Sequence, residues 1–179
     1  YGRARWSDMR FVSHVQLEDG EFVTFYTTEH KTASVGLRRE QYLPIVIPWS
    51  GICNDDWVRE WLKVYHQVGL DISKRPLGPL LPAPRIDGSF CARPLTTPEA
   101  ATWLRALLQG TSECETFRSH SLKATLLIWC DRAGFDRETR AVLGHHCSAV
   151  SGSEVVYSRQ LQTRALRKLA LVLRRVRRS

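Results

Sequence analysis

The sequence has no C-x-x-C pair. Its five cysteines, Cys53, Cys91, Cys114, Cys130 and Cys147, are scattered and odd in number. That usage argues against a disulfide framework and for free thiols in a reducing compartment. No run reaches the roughly 18 apolar residues that a membrane span needs, and the start carries no secretory h-region. Internal repeats are lacking as well. From Arg159 to the end there is not one acidic residue, while eight Arg and Lys fall in that stretch. The first 158 residues hold 18 basic and 18 acidic side chains, so the net charge of +8 belongs to the tail. Attraction to a polyanion must then come from that tail, or from an uneven arrangement of charge on a formally neutral body.

What is present is enough for a core. A chain of 179 residues, 43% of them hydrophobic and six of them tryptophan, is expected to be one folded domain rather than a disordered segment. It begins on Tyr1 rather than Met, and we expect it to be a fragment of a longer protein.

The pattern along the chain predicts an α+β fold, mainly helical, with a small antiparallel three-stranded sheet. Residues 3 to 10 read as the end of a helix. Phe11 to Leu17 and Phe22 to Thr28 are rich in β-formers and are separated by the turn signal Glu18-Asp19-Gly20. A third strand is expected over Tyr42 to Ile47, near an edge because of Pro44. Asn54-Asp55-Asp56 offers an N-cap, after which Trp57, Trp61, Leu62, Tyr65 and Val68 repeat at helical spacing up to Gly69. Residues 74 to 94 contain five of the eight prolines and read as a long irregular loop.

Further on, Thr97-Pro98-Glu99 opens a helix closed by Gly110. Ser119 can cap the next one, with Leu122, Leu126 and Trp129 facing the core, and Asp136 can cap another through Leu143. The last segment, 160–179, is a basic amphipathic helix or tail. Leu161, Ala165, Leu169, Val172, Leu173 and Val176 fall on one side of it. It could cover its own domain or lie on a membrane surface.

The densest concentration of chemistry runs from His120 to Tyr157. His120 and Lys123 share a helix face at i, i+3. His145 follows the helix-ending pair Leu143-Gly144, and Tyr157 stands just beyond. Two imidazoles, an ammonium and a phenol suit a phosphate ester: cations and donors hold the charged oxygens, and the phenol can attack. His145-His146-Cys147 with Cys130 raises a zinc site as a competing reading. Adjacent ligands fit poorly around one tetrahedral ion, however, and no paired spacing supports them.

His-x-x-Lys, then Leu-Gly-His, then a Tyr shortly after resembles the C-terminal signature of the tyrosine recombinases, which include the phage integrases. Gly2-Arg3-Ala4-Arg5-Trp6-Ser7-Asp8-Met9 is similar to that family's Gly-x-x-Arg-x-Ser-Glu-Leu segment. The resemblance puts Arg5 at the first catalytic arginine and Lys31 at the hairpin lysine. It implies that 1–179 is a single catalytic domain whose DNA-clamping, core-binding domain would lie upstream. It further implies site-specific recombination or integration by strand cleavage and rejoining, with Tyr157 as nucleophile. Arg5, Lys31, His120, Lys123 and His145 would stabilise the phosphate and move protons, with neither metal nor other cofactor.

Two positions depart from the family pattern. Its second arginine is Lys123 here, which keeps the charge and loses the two-pronged fork. The interval from His145 to Tyr157 is longer by a few residues that include Ser151-Gly152-Ser153. Either the site works with a point charge, or the domain is slowed or inactive. His146 rivals His145 as the active imidazole. The implied partners are double-stranded DNA and further protomers assembled on it, the C-terminal helix docking in trans in many members, with no membrane. Arg159, Arg164, Arg167 and Lys168 are the expected DNA contacts, and affinity should depend less on salt once residues 160–179 are deleted. A eukaryotic mobile element acting in the nucleus fits best, with a bacterial cytoplasm the alternative. A non-catalytic DNA-binding module and a type IB topoisomerase are the other functional readings.

Overall fold

The computed structural model describes residues 6–18, 20–28, 43–51, 53–74, 77–111, 119–144 and 159–176. They form a mixed α+β structure with six described helices, a three-stranded antiparallel sheet and a separate two-stranded hairpin. A short helix α1 (Trp6–Met9) leads into β1 (Val12–Glu18) and β2 (Phe22–Thr27), joined by a turn with Gly20 at φ +74°. β3 (Leu43–Pro48) adds on the other side of β2, so Pro44 does sit on an edge strand. None of the described helices is long and apolar enough to cross a membrane.

The central strand β2 is buried almost along its whole length because both faces of the sheet are covered. Alternate residues divide between the two faces. Val23 and Phe25 join Val12, Val15 and Ile45 under α2 (Trp57–Gln67). There Trp61 meets Phe25 edge-on at 5.9 Å and packs with tilted rings against Trp57 and Tyr65 at 6.3 and 5.3 Å. Asp56 caps α2 through the Arg59 N–H and also accepts the Trp49 indole N–H at 2.7 Å. Val58, not in the expected stripe, is fully buried; Val68, expected in it, is the exposed C-cap residue.

Residues 74 to 94 are not irregular throughout, as the proline content suggested. They contain a hairpin of β4 (Pro82–Pro84) and β5 (Phe90–Pro94). Proline lacks only the N–H. The neighbouring residues Arg85 and Leu95 donate the cross-strand bonds, to Ser89 and Leu81, at 2.8 and 2.9 Å. α3 (Thr97–Leu107) follows, with a capping box between Thr96 and Glu99 and with Gly110 at φ +97° beyond its end.

The opposite face of the sheet carries Phe22 and Val46. It packs against α4 (Ser119–Arg132), α5 (Arg137–Gly144) and α6 (Arg159–Val176) through Leu126, Cys130, Leu143, Leu166 and Leu169. Trp129 was expected in this core and is 42% exposed. One full turn beyond Leu126 the inward position belongs to Cys130, so the stripe on α4 runs i, i+4 rather than i, i+3. α6 covers its own sheet, and its buried set includes Gln162 and Thr163 beside Ala165, Leu166, Leu169 and Leu173. The Gln162 carboxamide lies along the open edge of β3. Its Nε2 donates to the Pro44 carbonyl at 2.8 Å and its Oε1 accepts the Val46 N–H at 3.2 Å, as a fourth strand would.

Candidate active site

Of the six candidate catalytic residues, the described structure brings together only His120 and Lys123. His120 falls in the first turn of α4 and Lys123 at the start of the second, and helical spacing sets them on one face. Their side chains lie outside what the structure describes. Arg5, Lys31, His145 and Tyr157 lie outside the described residues altogether, as do His146 and Cys147. Cys130, the remaining member of the zinc reading, is in no disulfide and is fully buried in the apolar core between α4, α5 and α6.

The elements bordering those positions have definite geometry. Thr28 donates its N–H to the Phe11 carbonyl at 3.1 Å, and its hydroxyl donates to the same oxygen at 3.3 Å. The backbone that comes from Arg5 and the backbone that continues to Lys31 are therefore tied at the same end of the sheet. Trp6, the neighbour of Arg5 in sequence, donates its indole N–H to the Leu95 carbonyl at the base of the β4–β5 hairpin, at 3.1 Å.

α5 starts from a strong cap. Asp136 accepts the Thr139 N–H and hydroxyl, both at 2.7 Å. The Thr139 backbone N–H, then its hydroxyl, hold the Asp136 carboxyl down to about 2, with nearby Lys168 adding attraction. Lys168 sits 3.6 Å from Asp136, and Leu161, seven residues earlier on α6, shares a shallow cavity of about 200 Å³ with Val142. α5 and α6 thus run in opposite senses. Gly144, the residue before His145, and Arg159, two residues after Tyr157, belong to the ends of α5 and α6 that this packing brings to one side.

The expected DNA-binding cations are divided by their partners. Arg159 pairs with Glu18 and lies 3.4 Å from the Thr24 hydroxyl. Arg167 grips Glu21 with two parallel bonds of 2.6 and 2.8 Å and lies over the Phe22 ring. That fork keeps the Glu21 carboxyl below, and the Arg167 guanidinium above, their usual ranges. Lys168 faces Asp136. Arg164 forms no ion pair with a described residue, and neither do the exposed Arg174 and Arg175 near the end of α6.

Arg174 and Arg175 were not singled out in the sequence, although they are exposed near the end of α6. The carboxylates that take up Arg159 and Arg167 lie on the β1–β2 hairpin, remote in sequence, so periodicity gives no means of separating paired from unpaired cations. No family model, curated protein or solved structure matches the chain.

Proposed function

We propose that this chain is the catalytic domain of a tyrosine recombinase, which cuts and rejoins DNA through a 3′-phosphotyrosyl bond at Tyr157. The observation that carries the reading is the order and spacing of Arg5, Lys31, His120, Lys123, His145 and Tyr157 along one α+β domain. In the reaction the Tyr157 oxygen attacks the scissile phosphorus and the bond to the 5′-oxygen breaks. Lys31 gives that oxygen its proton. Arg5, His120, Lys123 and His145 hold the non-bridging oxygens, where charge concentrates, and the imidazoles exchange the tyrosine proton. The phosphotyrosyl bond conserves the energy of the phosphodiester, so a second 5′-hydroxyl can reverse the step on a new partner.

Three features support the reading. His120 and Lys123 stand near the start of one helix at i, i+3; Phe11 and Thr28 tie together the strands that lead back to Arg5 and on to Lys31; and α5 and α6 bracket the stretch from His145 to Tyr157. Lys123 favours a second reading, a binding module that has lost cleavage, because it cannot clamp an oxygen bidentately.

A duplex nicked beside its cut site separates the two, since the short released strand diffuses away. The recombinase leaves an SDS-resistant protein–DNA adduct that Tyr157→Phe abolishes, whereas the module binds without adduct. Relaxation of supercoiled plasmid without site preference would instead indicate a topoisomerase. Deleting residues 160–179 is no clean probe of the phosphate contacts, because α6 supplies four of the buried core side chains. Replacing Arg164, Arg174 and Arg175 by Gln is cleaner. The slope of log affinity against log salt should shrink by about 0.9 for each phosphate that is no longer neutralised.

A further inference from the structure

The tip of the β4–β5 hairpin combines a closed frame with a residue uncommon in turns. Arg85 and Gly88 close it, with Arg85 N–H donating to Ser89 at 2.8 Å and Gly88 N–H donating to Arg85 at 3.1 Å. Asp87 accepts the Ser89 N–H and hydroxyl at 2.9 and 2.7 Å, and Gly88 takes φ +82°. Within this frame stands Ile86, a β-branched residue where turn chemistry favours Asn, Asp, Gly or Pro. Its side chain is wholly in solvent, at 109% of the reference area, and Phe90 at the start of β5 is 36% exposed. Arg85 beside it is exposed and forms no ion pair with a described residue, while the Asp87 carboxylate is occupied by Ser89. The base of the same hairpin is bonded to Trp6, next to Arg5.

We propose that β4–β5 is a second DNA contact, a ribbon that enters a groove of the duplex with Arg85 on a phosphate and Ile86 against the bases. It rests on the recombinase reading for its ligand, because the hairpin is held by Trp6, which follows in sequence the arginine assigned to the scissile phosphate. Duplex DNA is the occupant favoured over a second copy of the chain, for two reasons. The tip offers an exposed guanidinium that pairs with no described carboxylate, the neighbouring Asp87 being engaged by the Ser89 N–H and hydroxyl, and a two-stranded ribbon matches the width of a groove. An apolar side chain at a ribbon tip can wedge a base step partly open, which proteins use to bend DNA.

The test uses the whole chain and a mixed-sequence duplex carrying 2-aminopurine. Binding should raise the 2-aminopurine fluorescence as bases unstack. Ile86→Ser should remove that rise and weaken binding by about tenfold, the scale expected for losing one buried aliphatic side chain, with the salt dependence unchanged. Arg85→Ser should instead lower the salt slope by about one phosphate's worth. Val64→Ser, at another exposed apolar position, should bind as the parent does, and thermal melts of all three variants should coincide with it. Parent-like binding by Ile86→Ser would overturn the proposal. So would a loss confined to self-association of the free protein, which would assign the tip to a second copy. The two readings fail separately. Adduct formation with Ile86→Ser indifferent sinks only the hairpin contact, and binding that needs Ile86 without any adduct sinks only the recombinase.

Discussion

The two faces of the sheet are built on different principles. Under α2, Phe25, Val58, Trp57, Trp61 and Tyr65 form an aromatic and aliphatic layer held by ring packing and by bonds between near neighbours in sequence, the Trp49 indole on Asp56 and the Trp57 indole on the Pro48 carbonyl. Under α4, α5 and α6 the apolar contacts are punctuated by directional ones: Gln162 on the β3 edge, Arg159 on Glu18, Arg167 on Glu21 and Lys168 on Asp136. Apolar packing tolerates small sliding, whereas a buried carboxamide meeting one N–H and one C=O fixes a register. The face whose directional bonds join residues remote in sequence is also the one whose helices carry His120, end before His145 and begin after Tyr157. In our account the aromatic layer supplies stability, and the other face supplies position.

That contrast orders the expected losses. Phe25→Ala empties the aromatic layer and should cost about 3–5 kcal/mol in urea unfolding. A loss below about 1 kcal/mol would mean that Trp61 and its neighbours collapse into the space. Gln162→Leu keeps the volume but strands the Pro44 carbonyl and the Val46 N–H in a dry site. It should cost about 2–4 kcal/mol at roughly 1–3 for each unsatisfied group. A variant as stable as the parent would show that Gln162 fixes nothing.

The smallest effect expected is that of Asp136→Ala, about 1 kcal/mol for a lost N-cap. It carries a pH signature. The folded carboxyl sits at about 2, depressed from an unfolded value near its ordinary one. Its contribution is therefore complete above about pH 4 and lost as pH falls toward 2. In that window the parent should lose stability relative to the variant, so that the gap between their melting curves closes. A gap that stayed constant would contradict the cap.

Much of the aromatic side was legible in the sequence, because its signals are local. The β-formers on either side of Gly20 and the acids before Trp57 each act within a few residues, as does Asp136 before α5 on the other face; α3 was read to open at Thr97, one residue past its actual cap Thr96. The α4 stripe was misread at Trp129 because Leu126 has neighbours at both i+3 and i+4, and only the packed partner decides between them. The hairpin over 82–94 was hidden by prolines whose carbonyl neighbours still pair. Gln162 gives no local signal at all, since its partners are 116 and 118 residues away. The pairing of α6 cations with Glu18 and Glu21 is illegible for the same reason. The candidate site was readable only as an order of residue types, because Arg5, Lys31, His120, His145 and Tyr157 would have to be gathered by folding.

The central claim is that Tyr157 becomes covalently bound to DNA. Trypsin should release residues 141–159 as one peptide, since no Arg or Lys lies between Arg140 and Arg159 and Tyr157 is its only tyrosine. After reaction with a nicked duplex and nuclease trimming, that peptide should gain the mass of a 3′-linked nucleotide residue, with fragmentation locating the gain on Tyr157. DNA binding with the peptide unmodified, or the nucleotide found on another residue, would contradict the account.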